Sequence, residues 1–329
     1  MIKLNSLQYT NIHNLHIPHE LSLQTLSNNE EFESLKKEFT KKYSFEKLNT
    51  FSFCKDGVLG LLLQLDKKGK IGISKGESQA LFEGAKLYES LGFDIVWIDL
   101  LENGNVNTKQ IKEANVDFLF VSSYVMDTFV MTDLEEIKSL TNAKIISNAS
   151  ADFTCVSDAV YFDSYKLTGF TTSSVLLFDD DLFEEKSFGF IDSIAVSLTN
   201  QALKNQVFDL NIKQLFKQKL EEIFEDDLYF FVNNDETLPF SLHFALKSIK
   251  AREIIRTLGL DDIHITNGEG CSLGLSKPSR IIQNMGYDEL TSRNAISLTF
   301  SEELDEEQIE KIAKTFAKKY RQIKVLNEQ

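Results

Sequence analysis

The chain has 329 residues, 42% of them apolar and 26% charged, a balance typical of globular proteins and enough sequence for two domains or one large α/β unit. Its formal net charge is −15 (35 Lys and Arg against 50 Asp and Glu) with no basic block, so neither nucleic acid nor an anionic membrane is an expected partner. No stretch reaches the ~18 uninterrupted apolar residues of a membrane span. The opening Met-Ile-Lys-Leu-Asn-Ser-Leu-Gln has no apolar signal core, and a cytoplasmic protein is expected.

Cys54, Cys155 and Cys271 have no regular spacing, which argues against a disulfide framework and against a zinc site. His13, His16 and His19 lie three apart, but Pro18 interrupts them and no helical period brings them to one face. Residues 1–25 therefore read as an arm. Glu30–Tyr43 follows as an amphipathic helix with Phe32, Leu35 and Phe39 on one side.

From Asp56 to Ser147, helices and strands alternate. Helices are expected at Asp56–Leu65, Glu77–Leu91, Thr108–Glu113 and Asp133–Leu140. Strands are expected at Lys70–Ser74, Phe93–Leu100, Asp117–Ser122 and Lys144–Ser147. Such alternation builds a parallel sheet covered by helices, whose ligands sit at the carboxyl ends of strands. Ser122–Thr128, Asn148–Asp152 and Lys166 all follow strand ends and are expected to converge on one crevice. Beyond about Phe190 come helices Ile194–Asn205 and Ile212–Phe224, strands Tyr229–Val232 and Phe240–Ala245, helix Ala251–Leu258 and strand Ile263–Thr266. Strand Asn294–Phe300 and helix Asp305–Ile323 close the chain. This is the pattern of a smaller α+β domain. The expected division is an arm at 1–25, a large domain at 26–200 and a small C-terminal domain at 201–329.

Two stretches carry candidate chemistry. In the first, the apolar runs Ala159–Phe162 and Ser173–Phe178 read as buried strands around a short polar turn holding Lys166 and Gly169. A lysine at the mouth of buried strands either caps a strand end in water or has a lowered pKa and forms a Schiff base with an aldehyde cofactor. In the second, Cys271 is flanked by Gly268, Gly270 and Gly274, an open setting more common for reactive than for structural cysteines. Ser276 and Pro278 then start a helix that ends at Gly286.

The second stretch carries a resemblance. Asn267-Gly-Glu-Gly-Cys271 followed by Pro278-Ser-Arg-Ile-Ile-Gln-Asn-Met-Gly286 resembles the cysteine loop and next helix of cysteine desulfurases, whose pattern is Ser-Gly-Ser-Ala-Cys and then Pro-Ser-His-Val-Leu-x-Ala-Met-Gly. The Lys166 stretch is similar to that family's Ser-Gly-His-Lys-x-x-Gly-Pro, and the likeness runs through most of the chain from Phe51. The resemblance implies a fold-type I, pyridoxal phosphate (PLP)-dependent transferase: a large domain with a mainly parallel central sheet and a smaller α+β C-terminal domain. It also implies a homodimer, a small amino-acid substrate and a sulfur-acceptor protein. By position Lys166 would hold PLP as a Schiff base. Cys271 would take sulfur from cysteine as a persulfide, releasing alanine.

The surrounding positions depart from the family. Asn148 stands where an Asp pairs with the pyridinium nitrogen. Ser123 stands for the ring-stacking His, with Tyr124 beside it, and Met126 falls near the Asn that touches the ring oxygen. The phosphate turn is Phe53-Cys54-Lys55-Asp56-Gly57, where Lys55 is the candidate phosphate ligand. Asp163 and Tyr165 replace the Ser and His that precede the lysine, Gly189-Phe190 replaces a Gly-Thr loop, and Phe300 replaces the Arg that grips the substrate carboxylate. Two functional expectations follow: a desulfurase-like PLP enzyme, or a catalytically degenerate desulfurase fold that lacks PLP and acts as a binding partner or sulfur carrier. A third reading gives Lys166 and Cys271 no role.

Overall fold

A computed structural model describes residues 1–5, 7, 15–16, 30–66, 68–169, 171–183, 191–269, 277–301 and 304–327. In chain order the elements are β1 (Ile2–Lys3), α1 (Glu30–Tyr43), β2 (Lys47–Ser52), α2 (Lys55–Asp66), β3 (Ile71–Ser74), α3 (Gln79–Ser90), β4 (Ile95–Ile98), α4 (Thr108–Ala114), β5 (Phe118–Phe120), α5 (Leu134–Leu140), β6 (Lys144–Asn148), β7 (Ala159–Tyr161), α6 (Ser164–Thr168), β8 (Ser173–Phe178) and α7 (Ser193–Asn205). The second half holds α8 (Ile212–Phe224), β9 (Leu228–Tyr229), β10 (Ser241–Leu246), α9 (Ala251–Gly259), β11 (Ile263–His264), α10 (Arg280–Asn284), α11 (Glu289–Ser292), β12 (Ala295–Thr299) and α12 (Glu306–Asn327).

The described large sheet runs β2-β8-β7-β6-β5-β3-β4. Its β4, β3, β5, β6 and β7 are parallel, while β8 pairs antiparallel with β7, and β2 with β8. Apolar residues on both faces explain the parallel part: Ile71, Ile73, Leu119, Phe120, Ile145 and Ile146 are all at most 2% exposed, beneath helices on either side. The strand order reverses between β3 and β5, and such a switch point opens a crevice beyond the carboxyl ends of the strands. A second sheet, β12-β10-β9, is antiparallel and packs with α8, α9 and α12. The fold class expected from the alternation is the one observed.

Several details differ from expectation. Strand β2 was not anticipated, because Lys47 and Asn49 break its apolar alternation; its partner β8 supplies the pairing. Strand β1 was not anticipated either, and it pairs in parallel with β11. The strand expected at Tyr229–Val232 is only Leu228–Tyr229, since the chain then turns so that Phe231 packs edge-on against Tyr229 and Tyr287. The turn at Lys166 is a short helix, α6: the Asp163 carboxylate accepts the Lys166 N–H at its start, and left-handed Gly169 ends it. The helix expected to start at Ser276–Pro278 begins at Arg280, capped by Ser279, whose hydroxyl accepts the Ile282 N–H. Among the described residues no helix is long and apolar enough to cross a membrane.

Candidate functional site

Helices α2 and α3 bring two N-termini to the crevice. Gly84 lets them pack closely: a Cβ there would lie 2.5 Å from Val58 Cγ1 and 3.0 Å from the Lys55 carbonyl. Gly57 lets the chain leave β2 directly into α2, since a Cβ would lie 1.9 Å from the Ser52 carbonyl oxygen. Helix α6 is fixed on α7 by Ser164 and Thr199, whose hydroxyls lie 2.8 Å apart.

Lys166 emerges from α6 into this frame. Its Nζ lies 2.5 Å from Glu269 Oε1 and 3.3 Å from Asp163 Oδ2, with side-chain exposures of 18%, 10% and 5% for the lysine, Glu269 and Asp163. Burial alone would lower the lysine pKa, but the two carboxylates outweigh it and hold it above the ordinary lysine range. The side chain is a locked ammonium. Asp163 goes the other way from an ordinary surface carboxylate: burial and the nearby Glu269 raise its pKa against the pull of Lys166.

Both carboxylates are placed by further bonds. Glu269 Oε2 accepts the Gln79 N–H at the start of α3 (2.6 Å), and the Glu269 N–H donates to Asp127 Oδ1 (2.8 Å). Gly268, at φ +100°, makes that approach possible; a Cβ there would lie 2.1 Å from Asp127 Oδ1. Ser279 donates to the other Asp127 oxygen (2.8 Å). Arg280 donates to Gln79 Oε1 and to the carbonyls of Lys75 and Glu77, tying α10 to the loop before α3.

Behind Lys166 a hydrogen-bonded chain crosses the switch point. The Asp163 N–H donates to Ser150 Oγ (2.7 Å), whose hydroxyl donates to Asn148 Oδ1 (2.5 Å). The Asn148 N–H donates to Ser122 Oγ (2.9 Å), which donates to Glu77 Oε1 (2.8 Å), and Tyr161 donates to Glu77 Oε2 (2.6 Å). Burial pushes the Glu77 pKa up to about 7, against the Tyr161 and Ser122 bonds. Asn148 Oδ1 also accepts the Ser150 N–H (2.9 Å), which fixes the amide orientation, and its Nδ2 has no hydrogen-bond partner among the described residues.

Two cavities meet at Lys166. A small one, about 30 Å³, is lined by Tyr124, Met126, Asn148, Asp163, Lys166 and Glu269 among others. A cleft of about 440 Å³, the size of a small-ligand site, opens between Cys54, Gln79, Tyr165, Lys166, Thr172 and Glu269. Burial would raise the Cys54 thiol, but the Ser52 hydroxyl and the N–H groups of Asp56 and Gly57 hold it below the usual thiol range.

Of the residues singled out in the sequence, Lys166, Tyr124, Asn148 and Tyr165 therefore meet at these cavities. Lys55 is exposed at the start of α2 and lines neither. Ser123 also lines neither; it is buried and donates to the Asp152 carbonyl at 3.4 Å. Phe300 is 1% exposed and packs on Phe216 in the core of the small unit. Cys271 and Gly189-Phe190, like His13 and His19, lie outside the described residues. The sequence reading had given no role to Glu269, Glu77, Asp127, Gln79 or Cys54. The Gly76-Glu77 and Gly268-Glu269 pairs in the sequence carry no sign of burial, so no local signal marked these glutamates. Among the described residues no His, Cys, Asp and Glu group is arranged to hold a metal ion.

No family model matches the chain. It is 26% identical over 297 residues to a Bacillus subtilis (strain 168) protein named "Putative cysteine desulfurase IscS 1", covering 79% of this chain and 78% of that one. Among solved structures, a NifS-like protein superposes with a TM-score of 0.71 at 13% identity, covering 88% of this chain and 87% of that one. A NifS-like protein from Rickettsia africae ESF-5 superposes with a TM-score of 0.70 at 16% identity, covering 91% of both chains. The chain is thus similar in sequence to a protein named as a putative cysteine desulfurase and shares the fold of NifS-like proteins.

Proposed function

We propose that this chain is a sulfur-transfer protein of the desulfurase fold that works without PLP, carrying sulfur on a cysteine thiol. The observation that supports this is the clamp on Lys166, an ammonium between Asp163 and Glu269. A Schiff base requires the neutral amine, and these two carboxylates favour the charged one.

The residues around the lysine do not fit the cofactor that the fold family implies. Both oxygen contacts of Asn148 Oδ1 are taken by Ser150, which leaves an N–H donor. A protonated pyridine nitrogen is itself a donor and needs an acceptor. A phosphate needs free N–H groups at a helix N-terminus, yet Glu269 takes that of α3 and Asp163 that of α6, and at the Phe53–Gly57 turn before α2 the N–H groups of Asp56 and Gly57 face the Cys54 sulfur. The cleft has room for a ligand but the wrong charge for this one.

Sulfur carriage needs no cofactor. The Cys271 thiolate attacks the outer sulfur of a donor persulfide, R–S–SH; the donor S–S bond breaks as the new one forms. The donor leaves as R–S⁻, the proton stays on the transferred sulfur, and no net oxidation occurs. The substrate is then a persulfide and the partner a sulfur-acceptor protein. Cys54 is the described thiol that lines the cleft.

Two measurements test this. After incubation with PLP and borohydride, peptide mass spectrometry should find Lys166 unmodified; a cofactor adduct on Lys166 refutes the cofactor-free reading. After incubation with glutathione persulfide and alkylation, the Cys271 peptide should gain one sulfur, and its absence ends the carrier assignment.

A further inference from the structure

Glu269 fills, from within the chain, a place built for an anion. One carboxylate oxygen lies 2.5 Å from the half-buried Lys166 ammonium, and the other accepts the Gln79 N–H at the head of the twelve-residue α3. A third donor lies beside them: Asn148, 1% exposed, lines the small cavity with Lys166 and Glu269, and its Nδ2 has no hydrogen-bond partner among the described residues. An unpaired buried N–H is destabilising and calls for an acceptor. The adjoining cleft of about 440 Å³ leaves room for the rest of a molecule whose anionic end reaches these donors.

Resting on the reading that no cofactor occupies Lys166, we propose that these donors form a binding subsite for a small carboxylic acid, which Glu269 fills in cis until such a ligand displaces it. The exchange swaps one carboxylate for another, so Lys166 keeps its counter-charge and no additional charge is buried beside Asp163. Glu269 is thus a positioning residue that competes with the ligand. The chemistry selects a carboxylate over a divalent anion, because Asp163, at 3.3 Å from Lys166, repels extra negative charge.

Acetate is the probe, followed by calorimetric titration of the full chain. Glu269→Ala, which removes the competitor, should bind acetate at least tenfold more tightly than wild type, and Lys166→Ala in that background should abolish the gain. Glu269→Gln, which keeps the shape but not the charge, should gain part of it. A folded Glu269→Ala protein, verified by near-ultraviolet circular dichroism, that binds acetate no better than wild type overturns the proposal. If Glu269→Ala fails to fold, Glu269→Gln decides in the same way. Loss of the fold in both makes Glu269 a structural tie and equally overturns it. Borohydride trapping of PLP on wild-type Lys166 reports separately on the cofactor-free reading, so the two failures are distinguishable.

Discussion

Glu77→Gln offers the most direct check on the electrostatics of this site. Glu77 is 1% exposed, its oxygens accept from Ser122 (2.8 Å) and Tyr161 (2.6 Å), and burial raises its pKa to about 7 from an ordinary 4.5. A carboxyl that holds its proton more tightly when folded stabilises the protein fully below the unfolded pKa. That contribution is lost as pH rises through the folded one. The window is therefore pH 4.5 to about 7, with stability falling as pH increases across it. At 1.36 kcal/mol per pH unit the loss is on the order of 3 kcal/mol. Glutamine has the shape of the protonated acid: its oxygen can accept from Ser122 and its amide can donate to Tyr161. Urea unfolding of both proteins between pH 4.5 and 8 should show the variant gaining on wild type as pH rises, to about 3 kcal/mol by pH 8. Because Asp127 and Asp163, whose pKa values burial also raises, are present in both proteins, the difference isolates Glu77. A difference that stays flat with pH, or one that favours wild type at pH 8, refutes the buried-acid assignment.

Two further substitutions probe the frame. Lys166→Met leaves Asp163 and Glu269 without their cation and should destabilise the protein by about 3–5 kcal/mol at pH 7 in urea unfolding; a change under about 0.5 kcal/mol, the range of ordinary surface substitutions, would mean the clamp is not formed in solution. Gly84→Ala should lower stability by about 1–3 kcal/mol because its methyl would meet Val58 at 2.5 Å, whereas Gly60→Ala, with no atom within 4 Å, should be neutral or gain about 1 kcal/mol of helix propensity. Equal thermal midpoints for the two alanine variants would refute the close α2–α3 packing.

What the sequence disclosed and what it withheld divide along contact range. Apolar residues at helical spacing, or in a short continuous run for a buried strand, specify local elements. This is why α1, α8 and β8 begin and end where the pattern says, and why a parallel sheet could be anticipated. Strand β2 is the converse case: Lys-Leu-Asn-Thr-Phe-Ser has little signal of its own and exists because β8 pairs along its whole length. Lys166, Tyr124 and Asn148 were legible as crevice residues because each follows a strand end in the same sheet. The partners that decide what Lys166 is were not, since Glu269 lies 103 positions away and reaches it only because Gly268 and Asp127 fold that segment over α3. Glu77 was hidden for a similar reason: a glutamate after glycine reads as an exposed helix start, and only the approach of Ser122 and Tyr161 turns it into a buried acid.

The same division bears on chemistry. A lysine in the family position marks where a reaction could take place, but its pKa is set by charges within a few ångströms. Here those charges are carboxylates on two helix N-termini, placed where a cofactor's anionic groups would otherwise be attracted. On the proposed reading, retaining Lys166 while supplying Asp163 and Glu269 converts a covalent position into an electrostatic one. The lysine then holds the α6 start and the Glu269 segment together, and its retention alone is no sign of Schiff-base chemistry. Lys166→Arg therefore separates the two uses: a guanidinium can keep the two carboxylates paired and forms no imine, so a near-wild-type unfolding midpoint with unchanged sulfur uptake is expected. Loss of sulfur uptake in a stably folded Lys166→Arg protein would show instead that the amine itself is used.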